Sequence, residues 1–147
     1  MLVVDDDRSS ATVLSGVLGA AGFEVATVRS AEAAVRALLH EGVAATVVSF
    51  ARLGVGATTH LVTTLRSRPE PSLHTAALVA LVDDAADARL GLNAECDAVF
   101  ARPVPAEELA DAVTDVAATE PLVRGARRSV SGGLGTYFPL RSGIGVA

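Results

Sequence analysis

Leu2-Val3-Val4-Asp5-Asp6-Asp7, followed at once by Arg8-Ser9-Ser10-Ala11, is the stretch whose reading decides the fold. An apolar run ends in three carboxylates, and the pattern then turns helical, with Val13, Leu14, Val17 and Leu18 spaced for one face across residues 9–21. Clustered carboxylates repel one another. A chain that gathers them at a strand end holds a cation there or handles phosphoryl groups, and a solvated acidic turn is the plainer alternative.

Outward from that point, apolar strands alternate with helical patterns. Gly22 suits the C-terminal cap of the first helix. Residues 24–28 read as a second strand, and Ser30 as the cap of a helix that runs to about Glu41 and stops at Gly42. Residues 44–50 are a valine-rich third strand. The turn with Gly54 and Gly56 leads into a helix over residues 57–66, which Pro69 and Pro71 end. Residues 76–82 are continuously apolar, as expected of a strand covered on both faces. A weaker helix over residues 84–92, a short strand at residues 98–100 and a last helix over residues 105–118 complete the order, with Glu107 and Glu108 at the positive end of that helix. Five βα units in succession imply a parallel sheet with helices on both faces.

Composition limits the functions available. With 147 residues, 50% of them apolar and only 20% charged, the chain can build one core, so a single globular domain is expected. No apolar run approaches the ~18 residues of a membrane span, and Met1-Leu2-Val3 is not the start of a signal peptide, so a cytoplasmic protein is expected. All twelve basic residues are arginine, which excludes chemistry that needs a lysine amine. Residues 1–118 hold 8 arginines against 16 acids, a net charge of −8, whereas residues 119–147 carry +3. So acidic a body is a poor binder of DNA, because phosphate contacts need clustered cations. Cys96 has no partner for an internal disulfide and no metal-type spacing to His40, His60 or His74, so it reads as a core residue.

Across residues 1–118 the chain resembles the receiver domain of bacterial response regulators. The matching pieces are Leu2-Val3-Val4-Asp5-Asp6, Leu53-Gly54 after the third strand, Gly91-Leu92-Asn93-Ala94 before the fifth, and Arg102-Pro103 followed by Glu108-Leu109. The resemblance implies a flavodoxin-like, doubly wound sheet of five parallel strands, (βα)5 in the order 2-1-3-4-5. Its pocket would lie at the carboxyl ends of the strands, and residues 119–147 would form a C-terminal tail or linker.

That family uses an aspartate at the end of strand three as phosphoryl acceptor, an acidic pair on strand one for magnesium, a Ser or Thr after strand four, and a lysine before the strand-five proline. Here the acceptor position falls at Phe50, the hydroxyl position at Val82, the aromatic switch position at Val99 and the lysine position at Arg102. Only Asp5 and Asp6 match. They are expected to persist as an acidic remnant that can pair with Arg102 and binds magnesium weakly at most; no other cofactor is expected. Ser49, one residue before Phe50, faces the opposite side of the strand, and a serine phosphoester lacks the lability a reversible switch needs.

The resemblance therefore implies a pseudo-receiver: a non-phosphorylatable, non-enzymatic signalling module of a two-component pathway that works by protein contact. The expected face is built from the helix before strand five, strand five and the last helix, and includes Arg89, Leu92, Val99, Glu107, Glu108 and Asp111. Its partner would be a histidine kinase or another response regulator, with a homodimer compatible and no DNA or membrane contact by this domain alone. One alternative is a cyclic-dinucleotide sensor acting through Arg89 and Arg102. Another is a magnesium-dependent phosphatase of the haloacid-dehalogenase type, built on Asp5-Asp6-Asp7, Ser49 and Asp83-Asp84. Against it stand the missing lysine and a helix that leaves no room for a flap after the first motif. In the tail, glycine and serine from Ser129 onward predict flexibility, and Tyr137, the only tyrosine, offers an anchor for a partner or for the acidic body.

Overall fold

The computed structural model describes residues 1–88 and 95–131. Strand β1 (Leu2–Val4) is followed by α1 (Arg8–Ala20), β2 (Ala26–Val28), α2 (Ala31–His40), β3 (Thr46–Val48) and α3 (Val55–Ser67). A short α4 (Pro71–His74) precedes β4 (Leu78–Val82), α5 (Ala85–Ala88), β5 (Ala98–Ala101), α6 (Ala106–Ala118) and α7 (Pro121–Ser131). All five strands pair in parallel in the order β2-β1-β3-β4-β5, the flavodoxin-like arrangement.

Side-chain alternation along the strands divides the core in two. Val3, Val47, Val79, Leu81 and Phe100 pack against Leu14 and Leu18 of α1 and Leu109, Val113 and Val116 of α6. Leu2, Val4, Val48, Leu78, Ala80 and Val82 pack against Ala34 and Leu38 of α2 and Leu61, Val62 and Leu65 of α3. Burial on both faces is why the strands read as unbroken apolar runs rather than as alternating ones.

Local signals set most boundaries. Asp7 caps α1, accepting from the Ser9 amide, and Ser30 caps α2, accepting from Ala33. Gly22, just past α1, has φ +100°, the left-handed conformation that glycine adopts without strain. Gly54 has φ +88° and starts α3 at Val55, two residues earlier than the expected 57. Strand β3 is shorter than residues 44–50, because the chain turns away after Val48 to present Ser49 and Phe50 at the strand end.

Two elements differ from expectation. Residues 71–74 form a turn of helix with Pro71 at its start, where only a break was expected. Helix α7 occupies the first part of the tail. Pro121 suits the first turn, Arg124 N donates to Glu120 O, and Arg124 and Arg128, four apart, share one face that docks on the body. Helix α7 reaches Ser131 and so takes in residues 129–131, the start of the stretch expected to be flexible. Tyr137 and Phe138 lie outside the described residues, as do Arg89, Leu92 and the segment 91–94. Among the described residues, no helix is long and apolar enough to cross a membrane.

Candidate functional site at the carboxyl ends of the strands

The three carboxylates that follow β1 avoid mutual repulsion by taking different donors. Asp5 is fully buried; its Oδ1 accepts from the amides of Asp7 at 3.0 Å and Ala51 at 3.3 Å. Its Oδ2 is buried with no hydrogen-bond partner among the described residues. Asp6 grips the loop after β3 with both oxygens, Oδ1 accepting from Arg52 N at 2.9 Å and Oδ2 from Leu53 N at 2.8 Å. Asp7 is spent on capping α1. Asp5 and Asp6 together join the end of β1 to the β3–α3 turn through these backbone contacts.

Phe50 stands at the end of β3 and is 3% exposed, within the same core cluster as Val48, Val82, Val99, Leu61 and Val62. Ser49, also fully buried, points to the opposite face, where its hydroxyl hydrogen-bonds to the Arg102 guanidinium. Arg102 also donates to Asp83 Oδ1 at 2.8 Å. The expected pairing of Arg102 with Asp5 or Asp6 is corrected here. Asp5 and Asp6 accept from backbone amides, and the Arg102 side chain reaches the Ser49 side of the sheet instead. Arg102 and Asp83 line a cavity of about 690 Å³ beside α1 and α6, together with Val13, Leu14, Leu81, Val104 and Leu109.

The other expected positions are placed unevenly. Val82 is buried at the end of β4. Val99 has no exposed surface, so its expected place on an interaction face is corrected: it can support that face from beneath but cannot touch a partner. Glu107 and Asp111 are exposed on α6 and Glu108 is half-buried, while Leu109 between them anchors the helix. Asp84, needed by the phosphatase alternative, accepts from Ala86 N at the start of α5. Among the described residues no three His, Cys, Asp or Glu side chains are grouped so as to hold a metal ion.

A second polar centre, at the opposite end of the sheet, was not anticipated. Asp97, buried just before β5, accepts from Leu78 N at 2.8 Å and is surrounded by Arg66, Arg124 and Arg128. Three cations around one anion would repel, but the backbone supplies the rest. Arg66 donates to the carbonyls of Glu95, His74 and Ala76, and Arg124 to those of Val116, Thr119 and Thr75. Several of these carbonyls sit at the negative C-terminal ends of α4 and α6. Burial lowers the basicity of Arg66 and Arg124, with Arg128 lowering Arg66 further and Asp97 opposing both. The one signal in the sequence was an acid, Asp97, abutting an apolar strand with no neighbour to pair with.

No protein-family model matches the chain, and no curated protein does. Solved structures do match. A candidate response regulator from Chloroflexus aurantiacus superposes with a TM-score of 0.69 at 25% identity, covering 80% of this chain and 96% of that one. The receiver domain of a signal transduction histidine kinase from Syntrophus aciditrophicus gives 0.65 at 24% identity, with 81% and 92% covered. The receiver domain of a sensor histidine kinase from Pseudomonas aeruginosa, which has a magnesium ion coordinated in its active-site cleft, gives 0.65 at 21% identity, with 80% and 96% covered. The fold of this chain is that of the response-regulator receiver domain.

Proposed function

We propose that this receiver-fold chain is a signalling module of a two-component pathway that cannot accept a phosphoryl group and acts by contact with other proteins. The observation that carries the reading is Phe50, a buried hydrocarbon ring at the strand end where the resemblance calls for an acceptor carboxylate. An aromatic side chain offers no nucleophile. The surrounding groups support the same reading: Val82 brings no hydroxyl, Arg102 is held by Ser49 and Asp83, and Asp6 is committed to the loop backbone.

Magnesium fits this arrangement poorly. The ion prefers six oxygens in near-octahedral geometry. Phe50 supplies none, both Asp6 oxygens already accept amides, and only Asp5 Oδ2 is unspent. Calorimetric titration with magnesium chloride is expected to show no saturation in the millimolar range, and saturation well below it would contradict the reading.

Contact would be made through the exposed acids of α6, Glu107 and Asp111, which face a partner as a negative surface on an acidic body. The test is capture of two-component proteins on the immobilised chain, with and without acetyl phosphate. A histidine kinase or response regulator captured equally in both conditions, and lost with Glu107→Lys and Asp111→Lys together, supports the reading. A partner that binds only after acetyl phosphate treatment contradicts it.

A further inference from the structure

Arginine is the only side chain in this protein that is always cationic, and most of the described arginines are engaged with acids, hydroxyls or carbonyls. Among the described residues, Arg8, Arg29, Arg36 and Arg52 make no side-chain hydrogen bond or ion pair. Two of these four, Arg8 and Arg29, line one groove of about 290 Å³ between α1 and β2. The remaining wall is Ala11, Thr12, Ser15 and Thr27, so every polar side chain in it can donate a hydrogen bond and none is a carboxylate. In a body with twice as many acids as arginines over residues 1–118, such a lining stands out chemically. The cavity beside Arg102, by contrast, includes Asp7 and Asp83, and the one beneath β2 includes Glu24 and Glu41.

Local structure adds to the positive field. Arg8 is the first residue of α1, and Arg29 lies between the end of β2 and Ser30, the cap of α2. Both guanidinium groups therefore spring from the carboxyl ends of neighbouring strands, where open parallel sheets bind ligands, and beside the positive ends of two helices. Thr12 donates its hydroxyl proton to Arg8 O at 2.9 Å, which ties that turn of α1 to the groove. Ser15 Oγ is buried with no partner, a donor not used by the protein.

We propose that this groove binds a small phosphomonoester, its phosphoryl oxygens taken by Arg8 and Arg29 and its body by the hydroxyls of Thr12, Ser15 and Thr27. Arginine forks match phosphoryl oxygens in bidentate geometry, which favours phosphate over a simple halide. The volume lies at the lower limit of ligand pockets, roughly 300 to 1,000 Å³, and suits a sugar phosphate rather than a dinucleotide. This site lies apart from Phe50 and its function does not depend on phosphoryl transfer to the protein.

The test is an NMR titration of the full chain with inorganic phosphate and, separately, with ribose 5-phosphate, against sodium chloride at matched ionic strength. Saturable shifts are expected at the amides of Arg8, Thr12, Thr27 and Arg29, with ribose 5-phosphate binding the tighter. Arg8→Gln and Arg29→Gln are each expected to weaken binding about tenfold, the loss of one charge-assisted contact. Arg36→Gln, an unpaired arginine outside the groove, is expected to leave it unchanged. Shifts no larger than those in chloride, shifts centred on Arg102, or affinity that survives both groove variants would overturn the proposal. Binding of inorganic phosphate with exclusion of ribose 5-phosphate would overturn the phosphomonoester assignment.

Discussion

Arg128 Nη1 lies 2.5 Å from Asp97 Oδ1, and this contact ties α7 to the edge of the sheet where β4 and β5 begin. Among the described residues Asp97 is the carboxylate that Arg66, Arg124 and Arg128 have in common, so removing it leaves the buried guanidinium groups of Arg66 and Arg124 facing backbone carbonyls without that counter-charge. Breaking a buried charge network by deleting one partner costs about 3–5 kcal/mol. Asp97→Ala is expected to lower the free energy of unfolding measured in urea by an amount in that range, and Arg128→Ala by less, since Arg128 is at the solvent edge of the cluster. A midpoint unchanged by Asp97→Ala would show that the helix-end carbonyls alone hold the arginines.

Phe50→Asp is expected to destabilise the domain without restoring a switch. The substitution removes a buried ring and places a carboxylate close to Asp5, whose own Oδ2 already lacks a partner. Loss of a buried phenylalanine costs about 3–5 kcal/mol. Val82 still has no hydroxyl and Val99 no ring to reorient, so a phosphoryl group would not favour one conformation over another. Thermal melting and backbone NMR with beryllofluoride check both halves. An unchanged melting temperature, or mimic-induced shifts that spread along β5 and α6, would contradict this expectation.

Burial pushes the Cys96 thiol up to about 12, against a usual value of 9.0. The thiol is therefore neutral in the folded protein across the range in which an unfolded chain would ionise it. Between about pH 9 and pH 12 the unfolded state binds fewer protons than the folded one, so stability falls as pH rises, with a slope of up to ~1.4 kcal/mol per pH unit. Urea melts at pH 8 and pH 10.5 are expected to show the fall, and Cys96→Ser to reduce it. The folded protein is also expected to resist iodoacetamide at pH 8, where the thiolate is the reactive form.

The strand and helix pattern was legible because each signal is local. Ser30 as a cap, Gly22 as a stop and the apolar runs of β1, β3 and β4 need no knowledge of the rest of the chain. The acceptor position at Phe50 came from the resemblance, and the structure buries that ring at the end of β3. What could not be read was tertiary. The two oxygens of the Asp6 carboxylate accept from amides 46 and 47 positions away, and Arg102 pairs with Ser49 and Asp83 rather than with Asp5 or Asp6. Helix α7 was missed for the same reason: Gly125 and the serines lower its local propensity, and it is held by Asp97, which lies in a different part of the chain.

The central claim is that Phe50 abolishes phosphoryl acceptance, and intact-mass spectrometry after incubation with acetyl phosphate and magnesium tests it most directly. No mass increase corresponding to a phosphoryl group is expected, with or without hydroxylamine. A phosphoryl adduct that hydroxylamine removes, the mark of an acyl phosphate, would show that a carboxylate of this domain still accepts phosphoryl and would contradict the claim.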